Sequence, residues 1–180
     1  MPIPTEPIGS VPRPSARQAA VQAFAAGDLP RAELERHYEA AVSETIAQFE
    51  ATGSPIITDG EQTKPSFATY PLAGLSNLAA DGVVIPFADG HTRQLPCLTS
   101  GPFRYQTYAG AYLPLARKYA QRPLKQAVIS ASAMSLLYPA TGLEDYPREQ
   151  FLADLVQEAV ADIRSCFQNG AHNVQIDFTC

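Results

Sequence analysis

Three short polar clusters contain residue types that could bind a small charged ligand. The first is Ile8-Gly9-Ser10, where glycine lets the backbone approach a ligand and serine can hydrogen-bond to it. The second is residues 58–64, which carry two carboxylates, a glutamine amide and a lysine ammonium group. The third is Gln175-Ile176-Asp177, where a carboxylate interrupts an apolar run. A buried charge without a partner is unfavourable, so Asp177 needs a cation beside it.

Each cluster also has an ordinary structural interpretation. Gly9 and Ser10 are common turn residues, Asp59 could cap the segment that follows it, and Asp177 could pair with a structural cation. The second and third clusters both follow short apolar runs. In parallel α/β proteins the carboxyl ends of the strands form the ligand-binding edge, and this position favours a binding role for Asp177.

The elements that would position these clusters follow from local patterns. Five prolines predict an extended arm over residues 1–14. Residues 15–53 predict two leading helices, the first capped by Ser15 and ending at Ala26, and the second amphipathic from Pro30 to Thr52.

Residues 54–180 predict four β/α units. Strands are expected at residues 54–60, 95–100, 126–131 and 173–178, and helices at residues 112–121 and from Pro147 to Gly170. Strands that alternate with helices indicate right-handed crossovers and a parallel sheet. Four such strands fit either an open doubly wound sheet or half of a barrel.

Composition narrows the functional class. The chain has 180 residues, 46% of them hydrophobic and 17% charged, which is typical of a globular domain. Its net charge of -5 and scattered basic residues argue against nucleic-acid binding. Neither a membrane span nor a secretory signal is visible, and the three cysteines form no CxxC pair, so we expect a cytoplasmic protein with free thiols.

The three clusters together resemble a known family. Ile8-Gly9-Ser10 followed by prolines, then Thr58-Asp59-Gly60-Glu61-Gln62, then Val174-Gln175-Ile176-Asp177 stand in the order and spacing of the catalytic barrel of the cobalamin-independent methionine synthases. The resemblance covers nearly the whole chain but only about half of that barrel. It implies a (β/α)8 TIM-barrel type fold, with about the first four β/α units present as a half barrel.

The resemblance also implies a function. Family members use zinc to activate the thiol of homocysteine, which then accepts a methyl group from a methylated folate. Carried over to this chain, the substrate-binding residues would be Ile8, Gly9, Ser10, Glu61 and Asp177. No residue of this chain matches a catalytic position.

The resemblance stops short of the family's zinc ligands, a His-x-Cys pair, a glutamate and a final cysteine. His37, His91 and His172 are isolated from one another and from the cysteines. Zinc is therefore expected for a complete family member, without ligands in this chain. Residues 130–133 read Ser-Ala-Ser-Ala where methionine synthases commonly have Thr-Gly-Pro, which leaves the identity of the methyl donor open.

Several alternatives remain at this point. The chain could be a fragment or truncated product that transfers no methyl group by itself, and its open sheet edges could associate with a second copy. It could instead come from a zinc-dependent alkyl-thiol lyase or a uroporphyrinogen decarboxylase-like enzyme of the same superfamily. A non-catalytic half barrel that binds a partner is the candidate from a different functional class.

Overall fold

The computed structural model describes residues 5–86 and 88–177. The helices are α1 (Ser15–Ala26), α2 (Arg31–Ala51), α3 (Leu113–Arg117), α4 (Ala131–Met134) and α5 (Arg148–Gln168). The strands are β1 (Leu78–Ala79), β2 (Val84–Pro86), β3 (Thr92–Gln94), β4 (Cys97–Leu98), β5 (Lys125–Ile129) and β6 (Asn173–Asp177). Short 3-10 turns occupy Tyr70–Leu72, Ala109–Tyr112 and Ser135–Leu137.

A parallel pair of strands forms the centre of the fold. β5 and β6 run in register, with Lys125 opposite Asn173 and Ile129 opposite Asp177. All five residues of β5 are buried. Ile57 extends the pairing by a parallel bridge to Leu124, so three chain segments lie side by side with the same direction. The α/β class is thereby confirmed.

The strands of the described residues form three separate two-stranded sheets and close no barrel. Two of these sheets are antiparallel, β1 with β4 and β2 with β3. The half of a (β/α)8 barrel that the resemblance implies therefore stays a prediction.

The core lies between the parallel strands and the helices. Helix α2 contributes Val42 and Ile46, α5 contributes Phe151 and Leu155, and the irregular segment before α3 contributes Phe103. Each of these side chains is almost fully buried. Burial of such apolar area is the main favourable term in the folding free energy.

Helix α5 also holds an irregular segment through a polar face. Backbone N–H groups of Tyr105, Ala109 and Gly110 donate to Glu158, Asp162 and Ser165 at 3.0, 2.6 and 3.1 Å. Residues 105–110 form no strand, so these side chains satisfy backbone groups that a sheet would otherwise satisfy.

Several predicted elements need correction. The strand expected at residues 54–60 is reduced to the single bridge at Ile57, and the strand expected at residues 95–100 pairs antiparallel with β1 outside the parallel sheet. Ser15 does not cap α1: it is the first helical residue, after Pro14. Strand β5 ends at Ile129, because Ser130 starts α4 by accepting a hydrogen bond from the Ala133 N–H.

Within residues 5–86 and 88–177, no helix is both long and apolar enough to span a membrane.

Candidate functional site

Residues 58–64 form a loop directly after the parallel bridge at Ile57, and we call it the strand-end loop. Gly60 and Glu61 take consecutive positive φ angles of 65° and 55°. For Glu61 this left-handed conformation is strained, because its Cβ crowds the backbone. The Glu61 N–H donates to Asp59 Oδ1 at 2.8 Å, which helps to hold the strained residue in place.

The Glu61 carboxylate is buried and has two partners. Lys64 Nζ donates to Oε1 at 2.9 Å, and the Ser10 hydroxyl donates to Oε2. Lys64 is itself completely buried. Its ammonium group also donates to the Ala127 carbonyl at 2.7 Å and lies 4.6 Å from the centre of the Tyr70 ring. The pair therefore connects the strand-end loop to strand β5.

The arm before α1 packs against this loop. The Val11 N–H donates to the Gly60 carbonyl, and the Thr58 hydroxyl donates to the Gly9 carbonyl, both at 3.2 Å. A Cβ atom on Gly9 would lie 3.6 Å from Ala127 Cβ, an ordinary contact distance. The structure thus brings Gly9 and Ser10 of the first cluster to Glu61 of the second.

Ile8 lies next to this contact but its side chain is 74% exposed. Any contact that Ile8 makes with a ligand would therefore come from the backbone or from an exposed side chain.

Asp177 lies at the carboxyl end of β6 and is half-buried. Its Oδ1 accepts a hydrogen bond from Gln175 Nε2 at 2.7 Å. Burial raises the pKa of Asp177, while the Gln175 hydrogen bond opposes the rise and the Glu61 charge adds to it. Lys64 joins Glu61 to the Ala127 carbonyl on β5, two residues before Ile129, which lies opposite Asp177, so both carboxylates belong to the same part of the parallel pair.

Asp59 is a second buried acid in the loop. Burial raises its pKa, Lys64 opposes the rise, and its Oδ2 atom has no hydrogen-bond partner among the described residues. The expected role of Asp59 as a cap is met in part, since it accepts the Glu61 N–H.

Two arginines of the site were missed by the sequence reasoning. Arg13 donates to the carbonyls of Glu61 and Lys64, both at 3.3 Å, and the buried Arg17 donates to the Gln62 carbonyl at 2.9 Å. The sequence reasoning counted both only among the scattered basic residues. Arg13 precedes Pro14 and α1 begins at Ser15, so the helical spacing rule does not apply to the pair, and these contacts depend on the fold.

Residues that could hold a metal ion do not gather in the part of the chain that the structure describes. No group of three or more His, Cys, Asp and Glu residues with suitable placement occurs there. Cys97 is partly buried, Cys166 is buried with its pKa raised to about 12 by that burial, and Cys180 lies outside the described residues. The described residues therefore do not fit a zinc ion.

Comparison with known proteins adds evidence about ancestry. No family model matches the chain. Curated proteins of Mycobacterium bovis and Mycobacterium tuberculosis named 5-methyltetrahydropteroyltriglutamate–homocysteine methyltransferase are 25% identical over 98% of this chain. The chain spans only 23% of the length of these relatives.

The solved structure of a B12-independent methionine synthase from a Shewanella species, in complex with selenomethionine, has a similar fold. It superposes with a TM-score of 0.72 at 19% identity, covering 97% of this chain and 51% of that one. This match shows that the α/β fold is shared over nearly the whole chain. Together with the curated relatives, it confirms that the chain resembles the cobalamin-independent methionine synthases.

Proposed function

We propose that this chain supplies the amino-acid-binding part of a methyltransferase of the methionine synthase type, in which a small thiol such as homocysteine accepts a methyl group. The observation that carries the proposal is the contact of Ser10 with the buried Glu61, which Lys64 joins to β5 beside the strand that ends in Asp177. The substrate-binding residues would be Ile8, Gly9, Ser10, Glu61 and Asp177.

Charge complementarity supports an amino-acid ligand. Burial, and then the repulsion from Glu61, raise the pKa of Asp177. A ligand ammonium group placed between Glu61 and Asp177 would replace this repulsion by two attractions. Such a ligand would bind more tightly than a neutral one, and its binding would lower the raised pKa of Asp177.

The names of the curated relatives suggest the remaining substrates. Those proteins are named for homocysteine and for 5-methyltetrahydropteroyltriglutamate, a methylated folate. Because the chain spans about a quarter of their length, we propose the thiol as its ligand and treat methylated folate as the methyl donor of a complete enzyme.

Zinc activation of the thiol belongs to the complete enzyme in this proposal. No step of the reaction is assigned to a metal held by the described residues, since they offer no suitable group of ligands. We therefore expect the 180-residue polypeptide to bind no stoichiometric zinc and to form no methionine from homocysteine. Methionine formation by the purified chain would contradict this expectation.

Calorimetric titration with L-homocysteine and L-methionine tests the binding proposal. We expect binding to the wild-type chain, and affinity at least roughly tenfold lower for Glu61→Gln and Asp177→Asn, because each loses a charge-assisted hydrogen bond. Asp81→Asn is the matched control, since Asp81 is an exposed acid remote from the loop in sequence. A wild-type chain that binds neither amino acid would contradict the proposal.

A further inference from the structure

A chain of polar contacts leads from the arm to Asp177. Lys125 Nζ lies 3.2 Å from Glu6 Oε2 and donates to Gln175 Oε1 at 2.9 Å. Gln175 Nε2 in turn donates to Asp177 Oδ1 at 2.7 Å. Lys125 is 5% exposed, so its ammonium group depends on these partners.

The strand register explains how these side chains meet. In the parallel pair, Ala127 lies opposite Gln175 and Ile129 lies opposite Asp177. Side chains two residues apart on a strand point to the same face, so Gln175 and Asp177 share a face of β6, and Lys125 reaches that face from β5. Ile176 points to the other face, where it is exposed.

We propose that Gln175 is a positioning residue, oriented by Lys125 so that its amide N–H group always faces the Asp177 carboxylate. An amide can turn either its oxygen or its nitrogen toward a neighbour. The Lys125 ammonium group has only donors, so it must meet the amide oxygen of Gln175. The amide nitrogen is then left to face Asp177, and the geometry of the carboxylate is set before any ligand arrives.

The inference rests on the proposed function, since Asp177 must be ionised to bind an ammonium group. Burial disfavours that ionised form, and the Glu61 charge disfavours it further. The Gln175 hydrogen bond and the positive charges of Lys64 and Lys125 favour it. Glu6, which pairs with Lys125, is the remaining charged group in this chain of contacts.

Three substitutions distinguish a role of Gln175 in positioning Asp177 from a role in packing alone. Gln175→Glu keeps the side-chain size and the acceptor for Lys125, but it replaces the donor facing Asp177 by an oxygen. Gln175→Leu removes both contacts, and Lys125→Met removes the group that orients the amide. Ile176→Val is the matched control, because it changes the same strand on the opposite face.

Nuclear magnetic resonance of the full chain with 13C-labelled aspartate measures the titration midpoint of Asp177. We expect the midpoint to rise in Gln175→Glu and in Gln175→Leu, to rise less in Lys125→Met, and to stay unchanged in Ile176→Val. For L-methionine as the probe, we expect Gln175→Glu to lower the affinity by roughly tenfold, the loss typical of a charge-assisted hydrogen bond.

An Asp177 midpoint that is the same in wild type, Gln175→Glu and Gln175→Leu would overturn the inference. If Gln175→Glu fails to fold, Gln175→Leu and Lys125→Met decide the question by the same measurement. A midpoint that moves in a chain that binds no L-methionine would support the positioning role and contradict the proposed function. Unchanged L-methionine affinity in folded Gln175→Glu, with affinity lost in Glu61→Gln, would support the proposed function and contradict the positioning role.

Discussion

Glu61 shares its carboxylate between the hydroxyl of Ser10 and the ammonium group of Lys64. Its backbone is strained and its side chain is buried, so the residue depends on these partners more than an exposed glutamate would. The strength of the Glu61–Lys64 pair should therefore show directly in the stability of the protein.

We expect Lys64→Met to lower the free energy of unfolding by about 3–5 kcal/mol, because it leaves the buried Glu61 charge without its cation. Lys118→Met is the control. Its partner Glu39 lies 3.4 Å away at an exposed site, where solvent screens the pair, so we expect little change in stability. Urea unfolding at pH 7 measures both values.

The double variant Glu61→Gln/Lys64→Met should lose less stability than the sum of the two single variants, because the uncompensated charge is then absent. Strictly additive losses would show that the buried ion pair does not couple the two residues.

The buried Asp59 predicts that the stability of the protein depends on pH. Its pKa in the folded protein is raised by burial, so between the unfolded and the folded pKa the folded state binds more protons than the unfolded state. The contribution of Asp59 to stability is therefore present below the unfolded pKa and is lost as the pH rises through the folded pKa.

Unfolding free energies measured from pH 4 to pH 7 should show wild type losing stability relative to Asp59→Asn as the pH rises. The relative loss should be about 1 kcal/mol or more, given the cost of a buried acceptor without a partner. Asp81→Asn, at an exposed position, should follow wild type across the range. A wild-type curve parallel to that of Asp59→Asn would show that Asp59 titrates normally.

At the scale of elements, the arm and helix α2 meet at Gly60. A Cβ atom there would lie 2.6 Å from Thr45 Cγ2 on α2 and 2.7 Å from Val11 Cγ2 on the arm. Both distances are too short for carbon atoms in contact, so a side chain would force the arm away from α2. Gly60 thus permits the close approach that brings Ser10 to Glu61.

We expect Gly60→Ala to cost about 1–3 kcal/mol more than Gly53→Ala in the free energy of unfolding. Both glycines have positive φ, 65° and 77°, but a Cβ on Gly53 would meet nothing within 4 Å. The difference between the two variants therefore isolates steric crowding from backbone strain. Hydrogen exchange at Val11 should accelerate in Gly60→Ala alone, and equal losses in both variants would argue against crowding.

Local patterns predicted the longer elements well. The helices α1, α2 and α5 and the strands β5 and β6 lie where periodicity and glycine stops placed them. The helix expected at residues 112–121 is shorter, covering Leu113–Arg117 with a 3-10 turn before it. The sequence also singled out Ser10, Glu61 and Asp177, and their role as binding residues stays a prediction.

Pairings between distant segments were not predictable in the same way. The sequence reasoning placed no strand at the positions of β2 and β3, although Asp89-Gly90 between two β-prone runs is a recognised hairpin signal. The pairing of β4 with β1 and the hydrogen bond from Arg17 to the Gln62 carbonyl depend on tertiary contacts. A short stretch of sequence does not contain that information.

At the scale of the whole molecule, β6 has a strand neighbour on one side among the described residues, and apolar side chains are exposed on both β6 and α5. Ile176 is 55% exposed, and Val156, Val160 and Phe167 on α5 are exposed as well. Unpaired strands and apolar patches promote association. We therefore propose that this face supports self-association of the chain.

Sedimentation velocity over a range of protein concentrations tests this proposal. We expect the wild-type chain to associate as the concentration rises, and Ile176→Lys to shift the association midpoint at least roughly tenfold higher. Val83→Lys is the control, since Val83 is also exposed but precedes β2. Association that is equally strong in wild type and Ile176→Lys would remove β6 from the interface.

The docked arm has a consequence for biosynthesis. Ser10 and Glu61 are 51 positions apart, and Lys64 is 63 positions from its partner carbonyl at Ala127. A ribosome releases the arm first, so it leaves the exit tunnel long before the loop that receives it. The polar edge can be completed only when β5 and β6 have followed, so until then the nascent chain carries the Glu61–Lys64 pair without its contact to the Ala127 carbonyl.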